Sequence, residues 1–89
     1  PWFYWTWYRI MSKKLYNLIS KVMSVEVFQI NDESGPETIE SWDSFHGLVL
    51  VDEIENNFQI KFTLEEIIDV KKVVDIKRHL KSHGVILYD

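Results

Sequence analysis

The residues best suited to chemistry lie in one short run, where Asp43, Ser44 and His46 stand within four positions of one another. Ser44 offers a hydroxyl that can act as a nucleophile, and Asp43 places a carboxylate next to it. A serine with a nearby histidine can indicate a hydrolase, but residues i and i+2 of a helix do not face each other. No Gly-x-Ser-x-Gly turn surrounds Ser44 either. The run therefore argues against a hydrolase active site.

Other kinds of reactive site have little support in the sequence. The chain contains no cysteine, which excludes disulfides, zinc–thiolate sites and a cysteine nucleophile. His79 and His83 are four residues apart, which is a spacing that metal ligands use on a helix. The sequence places no carboxylate or third histidine with them. We therefore predict no metal site and expect both histidines to be exposed helix residues.

Charge is distributed unevenly along the chain. Residues 32–69 carry eleven acidic side chains against Lys61 alone, whereas residues 1–31 and 70–89 are each net positive. The negative segment surrounds Ser44, and such a surface repels nucleic acid and attracts basic proteins. We therefore expect protein partners with basic surfaces and no nucleic-acid partner. The alternative is a solvated acidic face that binds nothing.

The first ten residues differ from the rest of the chain. Six of the first eight are aromatic, and Met11 follows them. The stretch is too short to span a membrane, which takes about 20 apolar residues, and it lacks the features of a signal peptide. We predict that residues 1–10 are an aromatic leader outside the fold and that residues 11–89 form a single domain. An anchor at a membrane interface is the alternative for the leader.

Helical periodicity predicts four helices. The first covers about residues 13–25 after an N-cap at Ser12, and the second covers about residues 44–57 with Asp43 or Ser44 as its N-cap. The apolar stripe of the first helix consists of Leu15, Leu18, Ile19, Val22 and Met23.

The third and fourth helices are predicted from their end signals. Thr63 and Glu66 form a capping box that opens a short third helix, which continues to about Asp69. The last helix begins near Lys72 or Val73 and ends before Gly84, a suitable C′ residue. Three basic residues of this helix are expected to face water, namely Lys77, Arg78 and Lys81.

The first two helices are joined by a loop, residues 28–41, that is long for so small a domain and contains the helix-breaking pair Gly35-Pro36. We expect its nearby apolar residues to fix it to the helices, namely Val27, Phe28, Ile30 and Ile39. The predicted fold class is all-α: a small four-helix bundle of three longer helices and one short helix, with a long loop between helices 1 and 2.

This order of features resembles the acyl carrier protein family. The resemblance covers about residues 12–84, and it is most specific at residues 41–44, 60–62 and 66–67. In that family the serine of an Asp-Ser-Leu motif carries 4′-phosphopantetheine, and Ser44 stands at the corresponding place.

The resemblance implies a carrier and no catalytic activity of its own. A phosphopantetheinyl transferase would attach the arm of coenzyme A to Ser44 with Mg²⁺, and Asp43 would help to hold that metal during transfer. The helix dipole and the N–H groups of Phe45, His46 and Gly47 would tolerate the resulting phosphodiester. The arm would carry acyl groups as thioesters to the acyl-loading and condensing enzymes of fatty-acid or polyketide biosynthesis. The residues expected to contact partners are Phe45, Leu48, Glu40, Glu53 and Glu55.

The sequence departs from the family pattern at several positions. Phe45 replaces the usual leucine, Asp52 stands where fatty-acid carriers present an apolar residue, and Lys72 replaces the common serine or threonine before the last helix. These departures favour a discrete carrier of a specialised pathway, which we expect to be a cytoplasmic monomer. Two alternatives stay open: an aminoacyl or peptidyl carrier of the same fold, and an acidic interaction module that is never modified.

Overall fold

The computed structural model describes the backbone of residues 2–87 and the side chains of residues 13–87. The chain forms α1 (Trp2–Met23), α2 (Ser44–Phe58), α3 (Leu64–Asp69) and α4 (Val73–Ser82), with a single 3₁₀ turn at Val27–Gln29. The described range contains no β-strand. The prediction of an all-α fold with three longer helices, one short helix and a long first loop is confirmed.

The first helix differs from its prediction at both ends. It begins at Trp2, so Ser12 lies within the helix and the prediction that it is the N-cap is wrong. The residues between these two positions include no glycine or proline that would break a helix. The helix ends at Met23, and the next residue, Ser24, has a left-handed backbone with φ of 57°. We predicted that residues 1–10 are a leader outside the fold. Their side chains lie outside the described residues, so this stays a prediction.

The core lies between α1, α2 and α4. Each of these helices turns an apolar face inward, and Trp42 from the loop and Leu87 from the C-terminal tail pack against them. In contrast, α3 contains no buried residue and lies at the edge of the bundle. Among the described residues, no helix combines the length and the apolar character that a membrane span needs. The buried apolar residues of the helices are Leu15, Leu18, Ile19, Met23, Leu50, Ile54, Val73, Ile76 and Leu80.

The long loop is bonded to the first turn of α4. The carbonyl oxygen of Ser34 accepts a hydrogen bond from the N–H of Val73 at 2.8 Å, and that of Asp32 accepts one from Val74 at 3.0 Å. These N–H groups are among those that a helix leaves without internal partners. The loop therefore supplies acceptors at a helix start whose N-cap residue, Lys72, makes no side-chain cap hydrogen bond.

Lys77 was predicted to face water, and this prediction is wrong. The residue is only 4% exposed. Its Nζ lies 2.8 Å from Oδ1 of Asp32 and donates to the hydroxyl of Tyr16. The hydrogen bond from Lys77 holds the pKa of Asp32 below its ordinary value, whereas burial raises the pKa of Tyr16. A lysine can be buried when a carboxylate pairs with it, and here the carboxylate comes from the distant loop.

The apolar residues of the loop divide into two pairs. Ile30 and Ile39 are buried, which confirms their predicted packing. Val27 and Phe28 are exposed, Phe28 to 83%, so the prediction that they fix the loop to the helices is wrong. The 3₁₀ turn that contains them contributes no buried residue.

Two glycines offer a matched test of the contact between the loop and the connector before α4. A β-carbon on Gly35 would overlap the backbone carbonyl of Lys71, whereas one on Gly47 would lie 3.6 Å from Nε1 of Trp42, an ordinary contact. We expect Gly35→Ala to lower the free energy of unfolding by about 2 kcal/mol or more. Gly47→Ala should raise it by up to about 1 kcal/mol, because alanine is the better helix former. Urea titrations followed by circular dichroism measure both, and an unchanged Gly35→Ala protein would contradict the contact.

The ion pair between Asp32 of the loop and Lys77 of α4 gives a second prediction. Removing one partner of a buried pair costs about 3–5 kcal/mol, and the partial exposure of Asp32 reduces the expected loss for Asp32→Ala to about 2 kcal/mol. Asp52→Ala is the control, since that carboxylate has no ion pair with a described residue, and it should change stability by less than about 0.5 kcal/mol. If urea titrations show the same loss of unfolding free energy in both variants, the stabilising role of the ion pair is contradicted.

The same pair predicts a dependence of stability on pH. The pKa of Asp32 is lower in the folded protein than its ordinary value. Its contribution is therefore complete above the carboxyl pKa of the unfolded chain and is lost as the pH falls through the lowered value. The difference in stability between the wild type and Asp32→Ala should shrink accordingly in acid.

Candidate functional site

Ser44 is the first residue of α2, and its side chain is exposed. The residues before it are fastened to the fold. Trp42 is buried, and its backbone N–H donates to the carbonyl of Ile39 at 3.0 Å. The hydroxyl of Ser41 donates to the carbonyl of Met23 at 2.6 Å. The hydroxyl of Ser44 is thus presented at the surface by a loop end that is held against the end of α1.

Asp43 is the N-cap of α2, which confirms one of the two caps that the sequence allowed. Its Oδ1 accepts a hydrogen bond from the backbone N–H of His46 at 2.8 Å, and Nδ1 of the His46 ring lies 2.8 Å from the same oxygen. The backbone N–H and, after it, the ring hold the pKa of Asp43 below its ordinary value. The carboxylate is therefore ionised at neutral pH.

The ring of His46 is directed to Asp43 and not to Ser44. No hydrogen bond joins the Ser44 hydroxyl to a histidine within the described part of the chain. The His46 ring also makes an edge contact with Phe45, with 5.3 Å between ring centroids. Sequence reasoning missed the Asp43–His46 pair, although residues three apart at the start of a helix are neighbours on its surface.

An apolar cleft of about 570 Å³ opens beside Ser44. Residues of α2 line one side, α3 and the segments around it line another, and Ile76 of α4 completes the wall. Asp43 is the one charged residue of the lining. The sequence analysis did not foresee this cleft, because its walls come from separate elements. The uncharged lining residues are Pro36, Trp42, Ser44, Gly47, Leu48, Leu50, Val51, Ile54, Phe62, Ile67, Val70 and Ile76.

Large apolar side chains are exposed on both α2 and α3. Phe45 and Leu48, the predicted partner contacts, are 68% and 61% exposed. Leu64 and Ile68 of α3 are equally accessible, and the sequence analysis missed them. Partner binding by Phe45 and Leu48 stays a prediction, and their exposure leaves both side chains available for it.

The three acidic residues predicted to meet partners are placed differently. Glu40 is exposed. The side chain of Glu55 is only 13% exposed, and its Oε2 accepts a hydrogen bond from the N–H of Phe62 at 2.8 Å. Glu53 is partly buried and accepts a hydrogen bond from the amide of Asn57 at 3.3 Å. Their role as contacts stays a prediction, and Glu40 is the most accessible of them.

The surroundings of the two C-terminal histidines differ from the prediction. The sequence placed no carboxylate with them, but α3 brings Glu66 and Asp69 close. Nε2 of His83 lies 2.9 Å from Oε2 of Glu66, and Nε2 of His79 lies 2.8 Å from Oδ2 of Asp69. Within the described residues, these side chains form no group of three or more that could hold a metal ion. The pairs fasten α3 to α4.

Comparison with known proteins adds no family assignment to this geometry. No protein-family model matches the chain, and no curated protein matches it. The function is therefore inferred from the site itself and from the sequence pattern around Ser44.

The cap at the site can be tested separately from any modification. We expect Asp43→Ala to lower the free energy of unfolding, because it removes the acceptor for the His46 N–H. Asp43→Asn should retain most of the stability, since asparagine caps a helix about as well as aspartate. Urea titrations compare the two variants with the wild type. If both variants lose the same amount of unfolding free energy, Asp43 does not stabilise the fold by capping the helix.

Proposed function

We propose that the protein is an acyl carrier, in which Ser44 receives 4′-phosphopantetheine and the arm holds acyl intermediates as thioesters. One observation carries the proposal: an exposed serine hydroxyl at the start of a helix stands at the rim of an apolar cleft. The hydroxyl supplies a point of attachment, and the cleft supplies a place for an apolar chain. The sequence resemblance around Ser44 supports the same function.

The attachment is a phosphoryl-group transfer. A bond forms between Oγ of Ser44 and the phosphorus that bears pantetheine in coenzyme A, the pyrophosphate P–O bond breaks, and adenosine 3′,5′-bisphosphate leaves. A base of the transferase takes the hydroxyl proton. Asp43 stands next to the reacting oxygen with an ionised carboxylate, which suits the metal-holding role that the resemblance implies for it.

The start of α2 also suits the phosphodiester that results. A helix N-terminus favours negative charge. Of the three N–H groups expected to face it, those of His46 and Gly47 already donate to Asp43, at 2.8 Å each. The groups of α2 that remain to stabilise the phosphate are therefore the N–H of Phe45 and the helix dipole.

The lining of the cleft favours acyl over aminoacyl cargo. The side chains of its walls are apolar apart from Asp43 and Ser44 at the rim, and the ammonium of an aminoacyl group would lose its hydration among the apolar ones without a buried partner. The proposed partners are a phosphopantetheinyl transferase and acyl-loading and condensing enzymes. The arm keeps its cargo at high effective concentration near a docked enzyme, so weak docking suffices.

An unmodified interaction module is the second candidate. The acidic content of residues 32–69 favours it as much as it favours a carrier, since both need basic partners. A module that uses its acidic face alone would leave the cleft beside Ser44 without a role. No catalysis is assigned to the chain in either case.

Uptake of the prosthetic group separates the two candidates. After incubation with coenzyme A, Mg²⁺ and a broad-specificity phosphopantetheinyl transferase, the intact mass of the wild type should rise by one phosphopantetheinyl group. Ser44→Ala should gain nothing, and Ser82→Ala, a matched change at another exposed serine, should be modified like the wild type. A folded wild type that gains no mass, beside a known carrier that is modified, would contradict the proposed function.

A further inference from the structure

His46 places two hydrogen-bond donors on one oxygen of Asp43. The backbone N–H and ring Nδ1 each lie 2.8 Å from Oδ1. Because an ionised carboxylate can only accept, the ring nitrogen that faces it carries the proton. The other oxygen, Oδ2, accepts no hydrogen bond from another residue in the described part of the chain, and the side chain is 60% exposed. Oδ1 of Asp43 is thus held by His46, and Oδ2 is available to a ligand from another molecule.

The ring is not needed for the cap itself. A capping aspartate requires the backbone N–H of the third helical residue, which any residue but proline supplies. The additional donor opposes rotation of the carboxylate, which would exchange Oδ1 and Oδ2. The edge contact with Phe45, at 5.3 Å between centroids, limits the orientations of the His46 ring in turn. The ring of His46 therefore fixes the orientation of the Asp43 carboxylate.

We propose that His46 is a positioning residue for the modification of Ser44: its ring holds the carboxylate of Asp43 so that Oδ2 is presented to the cation of the modifying enzyme. This inference rests on the proposed function. A carboxylate that is already oriented loses less freedom when it binds a ligand than one that rotates. The orientation of the carboxylate should therefore lower the Mg²⁺ concentration that the reaction needs. It should not change the rate of the reaction at saturating Mg²⁺.

Two replacements of His46 separate the donor from the ring. His46→Asn keeps an N–H donor near the position of Nδ1, and His46→Leu removes it. Asn56→Leu is the matched control, because it places leucine at another exposed position of α2. Thermal unfolding followed by circular dichroism checks that each variant is folded.

The first readout is the Mg²⁺ dependence of phosphopantetheinyl transfer, followed by intact mass. For His46→Leu we expect the apparent KM for Mg²⁺ to rise about threefold to tenfold, with kcat changed by less than about twofold. His46→Asn and Asn56→Leu should behave like the wild type. An unchanged KM in His46→Leu, or an equal rise in His46→Asn, would overturn the role of the Nδ1 donor.

The second readout needs no modifying enzyme. Long-range ¹H–¹⁵N spectra of the histidine rings, recorded at alkaline pH, should show the proton of His46 on Nδ1 in the wild type and its loss from that nitrogen in Asp43→Ala. A wild-type ring with the proton on Nε2 would overturn the proposed geometry. A wild type that has the Nδ1–H signal but gains no mass overturns the proposed function and, with it, the positioning role. A modified wild type with no change in His46→Leu overturns the positioning role alone.

Discussion

The ion pair between Asp32 and Lys77 is the constraint on which the position of the long loop depends. Lys77 is buried, and an ammonium in that position is stable only with a carboxylate beside it. Asp32 also accepts a hydrogen bond from the Tyr16 hydroxyl at 2.9 Å, and its carbonyl accepts one from the N–H of Val74 at 3.0 Å. One loop residue thus contacts both α1 and α4. The loop cannot leave the bundle without separating a buried charge from its partner.

The far end of the same loop determines where the serine stands. Trp42 is packed into the core, Ser41 is bonded to the end of α1, and Asp43 caps α2. Ser44 follows immediately, so its hydroxyl is exposed while the residues before it are held. The beginning of the loop is different, since Phe28 is exposed there. The site therefore combines a serine hydroxyl at a fixed position with a cleft whose outer wall, α3, has no buried residue and is tied to α4 by histidine–carboxylate pairs.

The structure also reduces the acidic surface that the composition suggests. Asp32 is engaged by Lys77, Glu55 by the N–H of Phe62, and Glu66 by His83. These carboxylates act within the fold, and the negative field at the surface comes from the acidic residues left exposed, such as Glu40 and Asp52. This field is thus a property of fewer residues than the charge count indicates.

The sequence by itself determined the features that depend on neighbouring residues. The helix start at Asp43 or Ser44, the capping box of Thr63 and Glu66, and the apolar stripe around Leu15 and Ile19 are local patterns, and the structure confirms them, with Asp43 as the cap. A local pattern failed at Ser12, because its capping preference did not stop a helix that had no breaker before it.

Only the tertiary structure decided the rest. The burial of Lys77 requires Asp32, and the surroundings of His79 and His83 require α3. The cleft beside Ser44 requires walls from separate elements. Each of these features joins residues that are far apart in the chain. Periodicity and end signals describe one element at a time, so they carry no information about such contacts.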